Sequence, residues 1–118
     1  MREIKFRAWD KKQNQMYDWK TLLECFLLDY AFCRRGFMLM QFTGLCAKNG
    51  DIYEDDVIKI TDKNHTKTTW TSKVFFEDGA FRIFDKRDGE KEELRPYCKY
   101  WDVEIVGNIH QNPELLPK

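Results

Sequence analysis

The feature that most constrains the fold of this chain is a succession of short segments in which apolar and polar residues alternate. In the first segment the two sides of the alternation are Ile4, Phe6 and Ala8 against Lys5, Arg7 and Trp9. A period of two is that of a β-strand, whose successive side chains point to opposite faces. Polar residues 10–15 follow, and residues 16–19 resemble a returning strand, so residues 3–19 are predicted to form a hairpin.

Turn-forming pairs separate the later segments. Asn49-Gly50 is favoured in type I′ turns, where both central residues have positive φ, and Asp78-Gly79 and Asp88-Gly89 are further turn signals. The intervening strands are predicted at residues 37–43, 57–62, 68–76, 80–84 and 101–110. Pro96 limits any strand near Leu94 to an edge position, because proline donates no ladder hydrogen bond.

One segment has two competing interpretations. Thr21 and Glu24 match a helix capping box, in which both side chains satisfy free amides of the first turn, and this favours a short helix near residues 21–31. The competing interpretation is a strand, because residues 26–32 are rich in β-forming side chains.

The length of the chain sets its organisation. With 118 residues and a mass of 14.3 kDa, it is predicted to form one domain, residues 1–118. Aromatic residues make up 15% of the chain and supply apolar area for burial, which argues against disorder. We therefore predict a mainly β fold, a small, partly closed β-barrel or sandwich of short antiparallel strands with one short helix.

The charges of the chain balance. Twenty Lys and Arg residues match twenty Asp and Glu residues, so no global attraction to phosphate backbones or anionic membranes is expected. The charged N-terminus lacks the apolar run of a secretory signal, and the most apolar stretch, residues 22–37, contains four charged residues. We expect no membrane association and a soluble protein of the cytoplasm.

The cysteines do not indicate a metal site. The four are Cys25, Cys33, Cys46 and Cys98. None belongs to a C-x-x-C pair, and neither His65 nor His110 lies at zinc-ligand spacing from a cysteine or from the other histidine. We expect reduced thiols that are mostly buried as small hydrophobic side chains, and no metal. The sequence also lacks the Gly-rich nucleotide-binding motifs, so no cofactor is expected.

The candidates for acid–base chemistry are the cluster Glu54-Asp55-Asp56 and the two histidines. Consecutive residues of an extended chain point in opposite directions, which separates the carboxylates, and the spacing of a calcium loop is absent. We interpret the cluster as a solvated turn, His65 as a surface loop residue, and His110 as a surface residue that borders an apolar strand end. No nucleophile motif accompanies them, so we predict no catalytic residue and no enzymatic activity.

Basic and aromatic residues offer an alternative, a nucleic-acid-binding face. The basic pairs are scattered: Lys11-Lys12, Arg34-Arg35 and Lys86-Arg87. The tryptophans lie in or next to predicted strands, and most are expected in the core: Trp9, Trp19, Trp70 and Trp101. A single-strand-binding face would combine cations with rings, for instance Lys5, Arg7, Trp9 and Lys59. Trp9, on the charged side of its strand, is also the candidate for an exposed partner contact.

Several sequence blocks, taken together, point to a known family. They are residues 2–10 (REIKFRAWD), 40–45 (MQFTGL), 48–54 (KNGDIYE), 56–58 (DVI), 74–81 (VxFxDGxF) and 104–116 (EIVGNIHQNPELL). These blocks run from end to end of the chain and resemble the YopX family of phage- and prophage-encoded proteins. The usual pattern of that family has Gly in place of Asp55 and Tyr in place of His110. Asp55 is therefore expected either to adopt a turn geometry that Gly accepts freely or to lie in a turn that differs from that of the family.

The resemblance implies a mainly β domain, a phage or prophage origin and expression in the cytoplasm of a bacterial host. It implies no catalytic residue that could be transferred to this chain. The best-matching blocks are predicted strands and turns, so we expect an accessory protein without enzymatic activity that binds a phage or host protein, or itself as a homo-oligomer. The alternative is a small β-barrel that binds nucleic acid, which the balanced charge does not favour.

Overall fold

The computed structural model describes residues 3–25, 36–63, 68–86 and 89–116. The chain divides into two compact units, Met1–Phe42 and Thr43–Lys118, which are described separately. Most of the described residues belong to antiparallel strands, which confirms the mainly β class predicted from the alternation. The assignment of the whole chain to a single domain stays a prediction.

The first unit contains the predicted N-terminal hairpin. Its strands, β1 (Phe6–Asp10) and β2 (Gln15–Tyr17), pair in antiparallel fashion. The turn between them is closed by the Asp10 carboxylate, whose Oδ1 accepts a hydrogen bond from the amide of Lys12 at 2.9 Å. On its other side β1 pairs with the first part of β3 (Phe37–Ala47), so β1 is an interior strand of this sheet.

The position of β1 explains why the prediction of an exposed Trp9 is wrong. Trp9 is 7% exposed. It lies in register between Met16 of β2 and Met38 of β3. A large side chain on an interior strand has cross-strand neighbours on both sides, which remove it from water. Lys5 and Arg7, the charged residues on the same side of the alternation as Trp9, gave a misleading indication of an outer face.

The core of the first unit is small. Ala8 and Leu22 are fully buried, and larger side chains surround them: Phe6, Tyr17, Trp19, Phe37 and Leu39. The rings of Phe6 and Trp19 pack with their centroids 5.9 Å apart. The expectation that tryptophans serve the core is therefore confirmed for Trp19.

Helix α1 (Trp19–Glu24) begins two residues before the predicted start. Its N-cap is Asp18, whose Oδ1 accepts a hydrogen bond from the amide of Thr21 at 2.8 Å. The capping box that assigned this role to Thr21 is therefore wrong, because an aspartate three residues earlier already satisfies the free amide. The rest of the predicted helix, and the competing strand over 26–32, lie outside the described residues.

The second unit consists of the end of β3 and the elements that follow it. These are β4 (Gly50–Tyr53), β5 (Asp56–Thr61), β6 (Thr69–Lys73), β7 (Phe75–Glu77), β8 (Ala80–Phe84), β9 (Lys91–Glu93), α2 (Leu94–Tyr100), β10 (Asp102–Asn108) and a 3₁₀ helix (Pro113–Leu115). The strand order is β10-β5-β6 in one antiparallel sheet and β7-β8-β9 in another.

The single strand predicted over residues 68–76 is wrong, because Val74 divides it. Residues before Val74 form β6 and residues after it form β7, and these strands belong to different sheets. At the division Val74 donates its amide to the carbonyl of Asp56 and accepts from the amide of Asp55, both at 2.8 Å. A fully buried residue that pairs with a turn rather than with a strand lets the chain pass from one sheet to the next without unsatisfied backbone groups.

Pro96 lies in a helix rather than beside a long strand. The edge strand near Leu94 is confirmed but short, since β9 ends at Glu93 and forms the margin of its sheet. Helix α2 starts directly afterwards, and Pro96 falls in its first turn. Proline is accepted there because amides of the first turn have no partner within the helix.

Two predicted turns have different outcomes. Asp78 and Gly79 have φ of +52° and +78°, as a two-residue type I′ turn requires, and they join β7 to β8 as predicted. The turn at residues 48–49 also joins two strands. Asn49 does not have a positive φ in this turn, whereas Gly50 has a φ of +147°. The type I′ conformation predicted for this pair is therefore wrong.

The core of the second unit is aliphatic. Its fully buried members are Ile52, Ile58, Ile60, Val74, Ile83 and Leu94, with Val103 nearly so. Strand β5 shows the predicted alternation at Ile58 and Ile60, which are buried on either side of the exposed Lys59. Trp70, Tyr97 and Trp101 pack against this core from its margin.

The N-cap of α1 has a testable role in stability. The hydrogen bonds from Thr21 hold the pKa of Asp18 below its ordinary value. A lowered pKa in the folded state means that the charged cap stabilises the fold above about pH 4 and loses this effect as the pH falls further. We expect Asp18→Ala to reduce the free energy of unfolding by about 1 kcal/mol at pH 7, measured by urea denaturation, and by less at pH 3.

Asp18→Asn is the matched control, since asparagine also caps helices but does not titrate. Its stability relative to Asp18→Ala should be independent of pH between pH 3 and 7. An Asp18→Ala variant as stable as the unmodified protein at pH 7 would contradict the capping role.

Candidate functional site

The side chain of Asn49 completes the outer edge of β10. Its Nδ2 donates to the carbonyl oxygen of Ile105, and its Oδ1 accepts from the amide of Ile105, both at 2.9 Å. The amide of Lys48 adds a hydrogen bond to the carbonyl of Val103 at 3.0 Å. Asn49 thus pairs with β10 as a strand residue would, next to the bulge between Ile105 and Gly107. This role explains why Asn49 does not adopt the conformation that its turn motif predicts.

The C-terminal block is also held by side-chain amides. Asn108 Oδ1 accepts from the amides of His110 and Gln111, at 3.1 and 2.9 Å. Gly107 lies so close to this turn that a Cβ there would come within 2.5 Å of Asn112 Oδ1. The glycine and the asparagines of this motif therefore serve the fold, because larger or apolar residues would displace the turn.

Asp55 and His110 meet although 55 positions separate them. His110 Nε2 lies 2.9 Å from Asp55 Oδ2. The His110 side chain is 8% exposed and that of Asp55 is 24% exposed. Asp55 has a φ of +69°, which confirms the expected glycine-like turn geometry. The two residues at which the sequence was expected to depart from the family it resembles are therefore in contact with each other.

These observations correct two predictions. His110 was expected at the surface, but its ring is buried against the turn between β4 and β5. The carboxylate cluster was expected to be solvated, but Asp56 is buried and its Oδ2 accepts from the amide of Tyr53 at 2.8 Å. Both corrections have one cause. The carboxylates of Asp55 and Asp56 pair with the imidazole of His110 and the amide of Tyr53, respectively, and not with water.

Among residues 3–25, 36–63, 68–86 and 89–116, no group of three or more His, Cys, Asp or Glu residues is arranged to hold a metal ion. His65 and Cys33 lie outside this part of the chain. None of the helices that the structure describes has the length and apolar character needed to span a bilayer.

The cysteines differ from the expected buried thiols. Cys25, Cys46 and Cys98 are free, and the first two are exposed, so the prediction of burial is wrong for them. Cys46 contributes its Sγ to a contact of 3.3 Å with Asp51 Oδ1. Cys98 is half-buried, and burial, assisted by nearby Cys46, raises the pKa of its thiol to about 11. A thiol with a raised pKa is a poor nucleophile at neutral pH.

The proposed basic and aromatic face does not form around Trp9. That indole is buried, and the Nζ of Lys5 lies over the ring of Phe42, 4.4 Å from its centroid. Lys59 belongs to the second unit. Arg34, Arg35 and Arg87 lie outside the described residues.

Aromatic rings gather instead at the margin of the core of the second unit. We call Trp70, Tyr97 and Trp101 the aromatic cluster. The centroid of the Trp70 ring lies 5.4 Å from that of Trp101 and 6.0 Å from that of Tyr97, both edge-on, and Tyr97 and Trp101 are 5.3 Å apart. Trp70 is held by its Nε1, which donates to the carbonyl of Phe84 at 3.0 Å.

Three clefts surround the aromatic cluster. Cleft A, of about 370 Å³, is lined by Arg82, Glu92, Glu93, Pro96, Tyr97, Tyr100 and Trp101. Cleft B, of about 400 Å³, is lined by Asp62, Thr68, Trp70, Asp85, Lys86, Tyr97 and Trp101. A third cleft, of about 560 Å³, is lined by Trp70 and the following residues 71–73 of β6, and it shares Asp85 and Lys86 with cleft B. Concave surfaces with aromatic walls and a few polar groups are typical of binding sites, so these clefts are the candidate site.

The sequence analysis predicted Trp70 and Trp101 as core residues. It did not identify Tyr97 of the aromatic cluster or Tyr100 of cleft A as candidate site residues. The available signal was the spacing of Tyr97 and Tyr100, which lie three residues apart and so share one face of a helix. This spacing was not interpreted as helical because Pro96 favoured an edge strand over a helix.

Three comparisons place this structure among known proteins. Residues 24–117 match a family model described as YopX protein. A prophage-derived, uncharacterised protein YopX of Bacillus subtilis is 28% identical over 67 residues, which cover 55% of this chain and 49% of the relative. The matched region thus spans about half the length of that relative.

Two solved structures share the fold. The crystal structure of protein yopX from Bacillus subtilis has a TM-score of 0.66 and 20% identity. That of protein EF1440 from Enterococcus faecalis has a TM-score of 0.65 and 22% identity. Each comparison covers 99% of this chain and 100% of the other.

The two hydrogen bonds between the Asn49 side chain and the backbone of Ile105, which we call the Asn49 bridge, should contribute measurably to stability. We expect Asn49→Ala to reduce the free energy of unfolding by about 1–2 kcal/mol, because two hydrogen bonds are lost. Asn49→Asp keeps the acceptor for the Ile105 amide but sets a carboxylate oxygen against the Ile105 carbonyl, so it should destabilise the protein at least as much as Asn49→Ala. Urea denaturation and hydrogen exchange of the Ile105 amide measure these effects, and unchanged exchange in Asn49→Ala would contradict the bridge.

The pairing of Asp55 with His110 is testable by a double-mutant cycle with Asp55→Gly and His110→Tyr. Asp55→Gly removes the acceptor of a buried imidazole but relieves the positive φ, so the two effects oppose each other. We expect the double variant to be more stable than the sum of the single effects by about 0.5–3 kcal/mol in urea denaturation at pH 7. Additive effects would show that the contact has no energetic role.

Proposed function

The chain belongs to the YopX protein family, and from this premise we propose that it is a protein-binding module of a phage or prophage, without enzymatic activity. The observation that carries the proposal is the group of clefts around the aromatic cluster. Aromatic side chains at a concave surface offer large contact areas at a small cost in conformational entropy, which is why protein-binding sites are rich in them.

The polar residues of the described chain support the absence of catalysis. Asn49, Asn108 and Asp56 use their side chains to satisfy backbone groups of strands and turns. His110 is engaged by a carboxylate, and the Cys98 thiol is protonated at neutral pH. A catalytic site would need a nucleophile or base directed at a space that a substrate can enter.

The kind of partner follows from the relative's name. The Bacillus subtilis relative is described as prophage-derived, so we propose that the partner is a phage or host protein in the cytoplasm of a bacterial host. The nucleic-acid alternative loses support because Trp9, its proposed stacking residue, is buried.

Self-association is a second candidate with its own supporting observation. Phe76 is 53% exposed on β7, which is an outer strand of the sheet β7-β8-β9. Its ring packs edge-on against Phe81, with centroids 5.0 Å apart. An exposed aromatic residue on an outer strand favours contact with a second copy of the chain.

Two variants separate these candidates. Tyr100 is 66% exposed in cleft A, so Tyr100→Ala should leave the fold intact. We expect tagged protein to capture a specific partner from phage-infected, nuclease-treated lysate, as identified by mass spectrometry, and Tyr100→Ala to reduce its recovery at least tenfold. Phe76→Ala is the matched aromatic control and should leave that recovery unchanged.

Light scattering of the same variants tests self-association. An oligomer that becomes a monomer in Phe76→Ala, but not in Tyr100→Ala, would assign β7 to the contact between copies. If capture of the partner is lost on nuclease treatment, the protein-binding proposal is overturned in favour of nucleic-acid binding. If capture is insensitive to Tyr100→Ala, clefts A and B are not the binding site.

A further inference from the structure

Strand β6 lies at the edge of its sheet and directs backbone groups outward. In the sheet β10-β5-β6 it pairs with β5 alone. A hydrogen-bonded pair bounds this ladder at each end, since Val74 donates to Asp56 at 2.8 Å and Asp62 donates to Thr68 at 2.9 Å. In an antiparallel ladder hydrogen-bonded and non-hydrogen-bonded pairs alternate. The residues of β6 whose backbone groups point away from β5 are therefore Thr69, Thr71 and Lys73.

Most of these outward groups are open. Among the residues that the structure describes, no acceptor faces the amides of Thr69, Thr71 and Lys73, and no donor faces the carbonyl of Thr71. The carbonyl of Thr69 accepts from Lys86 Nζ at 3.4 Å, and that of Lys73 accepts from Ser72 Oγ at 2.9 Å. A strand edge with three open donors and one open acceptor is a template for a further strand.

The neighbouring strand β8 is held without use of this edge. The amide of Phe84 donates to Ser72 Oγ and its carbonyl accepts from Trp70 Nε1, both at 3.0 Å. Ser72 is buried and Trp70 packs against the core, so these two side chains lie on the core-facing side of β6. The outer edge of β6 is therefore left open beside Phe84.

The third cleft runs along this open edge. Four consecutive residues of β6, residues 70–73, line it. Successive side chains of a strand point to opposite faces, so a cleft on one face would be lined by alternate residues only. Phe84, Gly89 and Leu116 contribute to the walls, and the exposed surface of the cleft is mainly apolar. The cleft therefore offers backbone hydrogen bonds together with apolar surface for side chains.

The charged residues of the third cleft already have contacts within the protein. They are Lys73, Asp85 and Lys86. Lys73 Nζ lies over the ring of Phe75, 5.9 Å from its centroid, and Lys86 contacts the carbonyl of Thr69. Asp85 likewise interacts with other groups of the protein. Backbone geometry rather than charge therefore selects the occupant of this cleft.

A second copy of the chain fits this edge less well than a single extended segment. Two β6 strands paired about Thr71 would set Lys73 of one copy opposite Thr69 of the other, where Lys86 already lies. Like charges that face each other across two strands are destabilising. The walls beside β6 would also be duplicated between the two sheets, whereas one segment enters the cleft alone.

We propose that an extended segment of a partner protein adds to β6 as a further strand of its sheet. Carbonyls of the segment accept from the outward amides of β6, and one of its amides donates to the carbonyl of Thr71. Every second side chain of the segment falls on the side of Phe84 and packs on the apolar wall. The segment therefore has apolar residues at alternate positions and no proline where its amides face β6.

This mode of binding rests on the proposed protein-binding function and specifies the chemistry of the partner. It is tested by selection from a phage-displayed library of random 12-residue peptides against the intact protein. We expect enriched peptides to have apolar residues at alternate positions. In a synthetic peptide of the enriched sequence, N-methylation of single amides should weaken binding at least tenfold at every second position and less than threefold between them, measured by NMR titration.

Hydrogen exchange then locates the peptide on the protein. We expect the amide of Thr71 to exchange at least tenfold more slowly when the peptide is bound, because it gains an acceptor. The amides of Trp70 and Ser72 point to β5 and should be protected with and without the peptide, so they are the internal control.

Variants of the protein test the same contact. Thr71→Pro removes the central outward amide and should weaken the synthetic peptide at least tenfold. Lys91→Pro is the matched proline control on the edge strand β9, outside the third cleft, and should change the affinity less than twofold. Leu116→Asp places a charge on the apolar wall and should weaken the peptide at least threefold, which keeps a test in hand if Thr71→Pro does not fold.

The outcomes separate this inference from the proposed function. Absence of enriched peptides, N-methylation effects without a period of two, or binding insensitive to Thr71→Pro would overturn the inference. A dimer of the chain that Thr71→Pro converts to a monomer would overturn it in favour of a second copy. If Tyr100→Ala reduces partner capture from lysate and Thr71→Pro does not, the proposed function stands with another mode of binding. If neither variant changes capture, both fail.

Discussion

In the second unit, the fold depends on the satisfaction of backbone hydrogen bonds where strands end. Short strands leave many amides and carbonyls without a ladder partner, and such groups are costly when they leave water. Side chains replace the missing strands: Asn49 pairs with both backbone groups of Ile105, while Ser72 Oγ and Trp70 Nε1 engage the amide and carbonyl of Phe84. The primary role of these side chains is therefore to stabilise the fold.

This constraint also shapes the surface proposed for binding. Because its Nε1 is committed to the carbonyl of Phe84, Trp70 has a fixed ring that supports Tyr97 and Trp101. Helix α2, which carries Tyr97 and ends just before Trp101, starts directly after β9 and accommodates Pro96 in its first turn. The contacts that hold these rings together would lower the entropic cost of the proposed binding.

Sequence patterns predicted local structure well where a single local rule decided it. The hairpin over residues 3–19, the alternation in β5 and the Asp78-Gly79 turn are confirmed, because period and turn chemistry act within a few residues. The predictions failed where a distant group intervened. The strand over 68–76 is divided because Val74 pairs with the turn at residues 55–56. The candidate site was missed because it needs a helix, a strand and a loop together.

Local sequence patterns were sufficient to predict the mainly β class, the family and most of the strands, since alternation and turn residues act over short distances. The roles of the chemically versatile residues depend on the tertiary structure. It buries Trp9 between two strands, places His110 on Asp55 and gathers aromatic residues of two elements around two clefts. Such contacts join residues far apart in the chain, and burial and hydrogen-bond satisfaction select them only when the strands are assembled.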